Sequence, residues 1–185
     1  MNIEVEIKVR IDNFNEVKKK VSSIGTLLKA VKQIDDYYVP WHRDFFAHKP
    51  EPVEFLRIRI NPDKTVFEYT KCVNMKEDGT YDYAEEYETE IKDSEAFKKS
   101  LEFLNFTKVV TVEKEREYWI CGDIEVALDK VEGLGTFIEA EAKGNFKDHT
   151  EARNACEKFL KDLGVLVNEN IEIRKGYPQL LLEKN

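Results

Sequence analysis

In a β-strand, side chains alternate between two faces, so charges spaced two apart share one side. The segment Glu4-Val5-Glu6-Ile7-Lys8 puts Glu4, Glu6 and Lys8 on one face, and Ile3, Val5, Ile7 and Val9 on the other. Alone this describes an ordinary half-solvated strand. The arrangement returns, however, at Glu139-Ala140-Glu141-Ala142-Lys143. Between the two lie Arg57-Ile58-Arg59, Glu86-Tyr87-Glu88 and Lys114-Glu115-Arg116, all charged at the same spacing. Many strands with one charged face and one apolar face predict a sheet that curls around a charged interior.

Charged residues make up 36% of the 185-residue chain, against roughly 25% in an average soluble protein. The excess is consistent with charges held inside a site. The length suits one domain, 1–185, with a real core. A formal net charge of −8 argues against a general nucleic-acid binder, yet leaves room for a local basic cluster that takes a small polyanion. There is no long apolar run, so no membrane span is expected, and the N-terminus is expected to enter the first strand directly, with no signal peptide. Cys72, Cys121 and Cys156 are dispersed and odd in number. Reduced thiols in a cytoplasmic protein are the simplest reading, with packing roles for the cysteines.

The periodicity predicts eight strands: to about Arg10, then Gln33–Val39, Glu54–Ile60, Thr65–Val73, Ala84–Ile91, Lys108–Ile120, Ile124–Lys130 and Thr136–Lys143. Most are hairpin-linked and so antiparallel. Asp12 is the expected cap of a first helix that carries Phe14, Val17, Val21 and Ile24 and stops at Gly25. Asp93 is expected to cap a second helix, Ala152–Leu163 forms a third that ends at Gly164, and a helical turn falls near Leu180 to Leu182. The aromatic loop from Pro40 to Pro52 reads as a lid or as a packed surface loop. A Glu-x-Glu strand, an Asp-capped helix and a basic-x-basic strand occur twice in order, which suggests two related halves.

Carboxylates at spacing two on facing strands form a cradle for a hard divalent cation such as Mg²⁺ or Mn²⁺. Basic side chains in the same interior need an anion to join them. A triphosphate would accept bidentate contacts from Arg57 and Arg59 and further contacts from Lys8, Lys71, Lys114 and Arg116. Against this stands the plainer reading of each motif as a solvated face, for Glu86, Glu88 and Glu90 above all. The recurrence of both motif types within one small chain favours the site. His42, His48 and His149 have no metal-ligand spacing, and neither a Gly-rich phosphate loop of the Walker type nor a Ser-His-Asp signature is present.

The ordered motifs resemble the CYTH, or triphosphate tunnel metalloenzyme, superfamily. Glu-Val-Glu-Ile-Lys is similar to its E-x-E-x-K signature. Gln33 to Tyr38, Leu56 to Arg59, Tyr69 to Lys71, Glu86 to Glu88 and Val112 to Arg116 resemble its later segments. Leu128 to Glu141 and Gly176 to Leu181 resemble the class IV adenylyl cyclase branch. One departure is Ala84, where many members carry arginine. The resemblance implies an α+β fold: a closed eight-stranded antiparallel β-barrel, the triphosphate tunnel, with flanking helices. It implies Mg²⁺ or Mn²⁺ at Glu4, Glu6, Glu139 and Glu141, with Glu86, Glu88 and Asp129 supporting a second metal or orienting water. Glu4, Glu6, Lys8, Glu88 and Asp129 are then the expected catalytic group, and Lys8, Arg57, Arg59, Lys71, Lys114 and Arg116 the phosphate grip. The expected activity is a metal-dependent triphosphatase acting on inorganic triphosphate or a triphosphate ester. The alternatives are cyclisation of ATP to cyclic AMP and pyrophosphate, or non-catalytic polyphosphate binding. The expected partner is a small triphosphate substrate, with no nucleic acid and no membrane; a homodimer is compatible with such a domain.

Overall fold

The spacing-two segments form strands and the helical periodicities form helices in a computed structural model that describes residues 5–47, 52–74, 83–168 and 170–184. Strand β1 (Glu6–Arg10) leads into helix α1 (Phe14–Ile24), then β2 (Thr26–Pro40) and a turn of 3-10 helix at Phe45–Ala47. Strands β3 (Glu54–Ile60), β4 (Thr65–Val73) and β5 (Tyr83–Ile91) precede helix α2 (Ser94–Phe103). Strands β6 (Phe106–Cys121), β7 (Ile124–Val131) and β8 (Gly135–Ala142) follow, then helices α3 (His149–Asp162) and α4 (Tyr177–Lys184). Asp93 caps α2 as expected, accepting from the Ala96 N–H at 2.9 Å. The cap of α1 is Asn13 rather than Asp12, and it works through its carbonyl, which accepts from Glu16 and Val17 at 3.0 and 3.1 Å.

The eight strands form one antiparallel sheet in the order β1-β8-β7-β6-β2-β3-β4-β5. The expected closure into a barrel is absent from the described ladders, which leave β1 and β5 as the two ends. Each end has a physical reason to resist further pairing. The outer edge of β1 is taken by the chain after α3: Val9 bridges Glu172, and the Ile173 N–H donates to the Lys8 carbonyl at 2.8 Å. Strand β5 carries Glu85, Glu86, Glu88 and Glu90, and dense like charge discourages another strand from docking.

The chain groups into two compact units, Met1–Lys32 with Lys114–Gly176, and Gln33–Glu113 with Tyr177–Asn185. In the first, one sheet face supplies Ile7, Val9, Val126, Leu128, Ile138 and Ala140 to a core completed by Val17 and Val21 of α1 and by Cys156 and Leu160 of α3. In the second, Leu56 and Ile58 of β3 pack with Tyr38, Phe45 and Leu101 of α2. Asp36 ties that unit together from the apolar side. It is buried, and it takes Thr111 Oγ1 at 2.7 Å, Lys98 Nζ at 2.9 Å and Lys108 Nζ at 3.3 Å. Burial works to raise its pKa, yet these donors hold it below the usual carboxylate value. Among the described residues no helix is long and apolar enough to cross a membrane.

Candidate functional site

The opposite sheet face in each unit carries the charges, and many of them are buried. In the first unit these are Lys8, Lys114, Asp129 and Glu139. Register brings them together: Glu6 faces Glu141 and Lys8 faces Glu139 across β1 and β8, while Arg116 faces Asp129 across β6 and β7. Arg116 Nε donates to Asp129 Oδ1 at 2.7 Å, and one terminal nitrogen bonds both Asp129 Oδ2 and, at 2.6 Å, Glu139 Oε2. Lys8 Nζ stands 3.8 Å from the other oxygen of Glu139. Asp129, expected as a support for metal or water, is here the fully buried partner of Arg116. Glu141 accepts from Lys143 Nζ at 2.6 Å. Glu4 lies outside the described residues, as does His48 in the aromatic loop.

Glu6 is raised from 4.5 to about 7, first by burial of its carboxyl and then by the Glu139 carboxylate; Lys8 and Arg116 oppose the rise and Glu141 adds to it. As a residue Glu6 remains solvent-exposed. Water on that side screens the effect, so the shift gives a direction of acid strength rather than an energy.

In the second unit the charged face holds Asp35 of β2, Arg57 and Arg59 of β3, Glu68 of β4, and Glu86 and Glu88 of β5. Arg59 grips Asp35 through two hydrogen bonds of 2.7 and 2.8 Å, and Arg57 pairs with Glu68 and lies 4.0 Å from Asp35. Glu88 faces Glu68 across the ladder, and Glu86 faces Thr70. A hydrogen bond to Glu68 raises the Glu88 carboxyl. In Glu68 burial pushes upward, but the Arg57 guanidinium prevails and lowers it. Arg57 Nε is buried and has no acceptor.

Lys71 departs from the expected grip. It faces Glu54 in the ladder, alternates onto the side of Phe67 and Tyr69, and is exposed. Arg57 faces Glu68, so position 71 is one residue out of phase with the charged face. Asp35 and Glu68, which orient the arginines, received no role from the sequence. A single Glu between Phe67 and Tyr69 was the available signal for Glu68. Burial raises all three thiols, that of Cys156 to about 11, which supports packing rather than nucleophilic roles.

An α+β sheet with a charged, partly buried face defines the class. Residues 2–177 match the model of the CYTH domain, and the chain belongs to that family. A relative from Methanocaldococcus jannaschii that bears an adenylate cyclase name is 36% identical over 180 residues, covering 96% of this chain and 98% of its own. The structure of the PH1819 protein of Pyrococcus horikoshii has a TM-score of 0.77 at 32% identity, covering 99% of this chain and all (100%) of that one. A Hippeastrum protein, carried under an adenylyl cyclase name and described by a dominant triphosphatase activity, shares the fold with a TM-score of 0.61 at 19% identity over 89% of each chain.

Proposed function

We propose that the protein is a divalent-metal-dependent triphosphatase acting on inorganic triphosphate or a triphosphate ester. The observation that carries this reading is Arg57 Nε, a buried N–H without an acceptor on a face already crowded with carboxylates. An anionic oxygen would supply that acceptor. Phosphate oxygens suit guanidinium forks. Lys8, Lys114 and Arg116 offer phosphate-binding chemistry of the same kind within the first unit.

The donor set there also suits a metal. Glu6, Glu139 and Glu141 are hard oxygen donors on adjacent strands, and their mutual repulsion is what Mg²⁺ or Mn²⁺ would relieve. Among the described residues no three acidic, His or Cys side chains are already gathered as a ligand set. Binding would therefore draw Glu139 from Arg116 and Glu141 from Lys143. Such an ion would neutralise negative charge on the phosphoryl and leaving oxygens. Glu86 and Glu88 remain candidates for a second ion or for orienting water.

The family's names include adenylyl cyclases, and the Methanocaldococcus relative favours cyclisation of ATP as the second reading. Hydrolysis needs no dedicated nucleoside pocket, and the Hippeastrum protein lends it support as a family activity. Product analysis separates the two. Inorganic triphosphate, ATP and thiamine triphosphate are each incubated with Mg²⁺ or Mn²⁺. Orthophosphate is expected; cyclic AMP with pyrophosphate would transfer the assignment to the cyclase. Glu6→Gln and Glu141→Gln should each lose most activity while keeping the wild-type circular dichroism spectrum. Full turnover in excess chelator would defeat the metal role.

A further inference from the structure

Alternation along β1 puts Glu6, Lys8 and Arg10 on the charged face of the first unit, in that order. Glu6 and Lys8 belong to the site described above, whereas Arg10 has no role in it. Yet Arg10 stands in the same field of side chains. It faces Phe137 across β1 and β8, and its row continues through Asp129 of β7 to Arg116 of β6.

Arg10 differs from its basic neighbours in how it is held. Lys8 is matched by Glu139, and Arg116 by Asp129 and Glu139. Among the described residues Arg10 is in no ion pair. One of its terminal nitrogens donates to the Leu134 carbonyl in the turn between β7 and β8, and the guanidinium carbon lies 4.8 Å from the centroid of the Phe137 ring. The bare backbone of Gly135 leaves room for it, since a Cβ there would stand 3.0 Å from the same nitrogen. Carbonyl and ring fix the direction of the fork but leave its charge without a counter-charge. The residue is exposed, so the rest of the fork is open to a ligand.

The charges also change along the strands. Glu6, Glu141 and Glu125 share one row, the end that suits a cation. Glu6 and Arg10 lie about 13 Å apart along β1 at the usual strand rise. The row of Arg10 sets two guanidinium groups against one aspartate. A triphosphate whose first phosphoryl group sits on a cation at the acidic row is long enough to bring its last one to Arg10, and a pyrophosphate is not.

We infer that Arg10 is a further substrate-binding residue, which takes the phosphoryl group furthest from the Glu6–Glu141 row and so selects a three-phosphate chain over a two-phosphate one. This rests on the triphosphate reading of the site. Guanidinium forks suit a terminal phosphoryl group.

The test uses Arg10→Gln, whose amide N–H can still reach the Leu134 carbonyl, and Arg10→Lys, which keeps the charge without the fork. KM and kcat for inorganic triphosphate come from initial rates with Mg²⁺, and pyrophosphate affinity from its competitive inhibition. Mn²⁺ affinity of the substrate-free proteins is titrated as well. Arg10→Gln should raise the triphosphate KM by about tenfold or more, the scale of a lost hydrogen bond to a charged group, with a smaller change in kcat. Pyrophosphate and Mn²⁺ affinity should hold, and Arg10→Lys should fall between the two proteins. Three results would overturn the inference: an unchanged triphosphate KM in Arg10→Gln; an equal weakening of triphosphate and pyrophosphate; or a matching fall in Mn²⁺ affinity, which would mean that Arg10 only secures the β7–β8 turn. If Arg10→Gln does not fold, the same ratio of triphosphate to pyrophosphate in Arg10→Lys decides. Thermal titration of wild type with inorganic triphosphate runs in parallel. A response there with an unchanged ratio in the variants overturns this inference alone, and no response overturns the proposed function with it.

Discussion

Asp35 and Asp129 each receive an arginine through two parallel hydrogen bonds, from Arg59 and Arg116 respectively. Both aspartates are essentially removed from solvent, at 1% and 0% exposure. The two forks mirror one another with the charges exchanged. Asp35 precedes Arg59 on neighbouring strands β2 and β3, and Arg116 precedes Asp129 on β6 and β7. A half-buried arginine held this way is oriented before any ligand arrives. Glu6 is the opposite case, a carboxyl kept short of compensation. Its pKa rises from 4.5 to about 7 in the folded metal-free protein, so the native state holds a proton that the unfolded chain releases. That stabilisation is complete below pH 4.5 and is lost as pH climbs through about 7. Chelator-treated wild type should therefore lose melting temperature across that window relative to Glu6→Gln. Mn²⁺ affinity should rise over the same window, because a cation needs the carboxylate. A flat difference between the two proteins would contradict the crowding of Glu6 by Glu139 and Glu141.

At the scale of elements, strands β3 and β4 have the bounds their alternation announced, and β7 and β8 come within a residue. The charged residues of β1, β3, β6 and β8 were legible because spacing two is the signature of one face. What stayed hidden depends on neighbours. Strand β2 begins at Thr26, seven residues before the expected Gln33, although Leu27 and Leu28 are exposed and show no alternation. Ladder partners, not local pattern, extend it. Lys71 fell on the wrong face because the phase of β4 is set by β3. Gly25 shows the same dependence on packing. Its backbone is extended, so it is not required for a left-handed turn. A Cβ there would overlap Cys121 Sγ and stand 3.0 Å from the Ile120 carbonyl. Gly25→Ala should cost about 1–3 kcal/mol in urea unfolding, the range for overpacking. Cys121→Ala in that background should recover part of the loss by removing the sulfur. Wild-type stability for Gly25→Ala alone would mean that the helix-to-strand junction yields more readily than its packing implies.

At the scale of the whole molecule, the first unit is assembled from residues far apart in sequence. Strand β1 and helix α1 supply Ile7, Val9, Val17 and Val21 to a core otherwise drawn from β6 to β8 and α3. A polypeptide of residues 114–185 lacks all four, and it leaves the edge of β8 that β1 covers unpaired. It should show no cooperative thermal transition and should bind a hydrophobic dye. A sharp transition would mean that β6 to β8 and α3 form a sufficient core. The two ends of the sheet carry a further consequence, for behaviour in concentrated solution. Glu172 and Ile173 plug the β1 edge with backbone hydrogen bonds that added salt barely touches, backed by the Arg153–Glu172 ion pair. The β5 edge is guarded by the charge of its glutamates, and mobile ions screen that guard within about 3 Å at molar strength. One end of the sheet is thus sealed by hydrogen bonds and the other by charge, so edge-to-edge association driven by high salt has only the β5 edge to use and closes at a pair of molecules rather than growing into a filament.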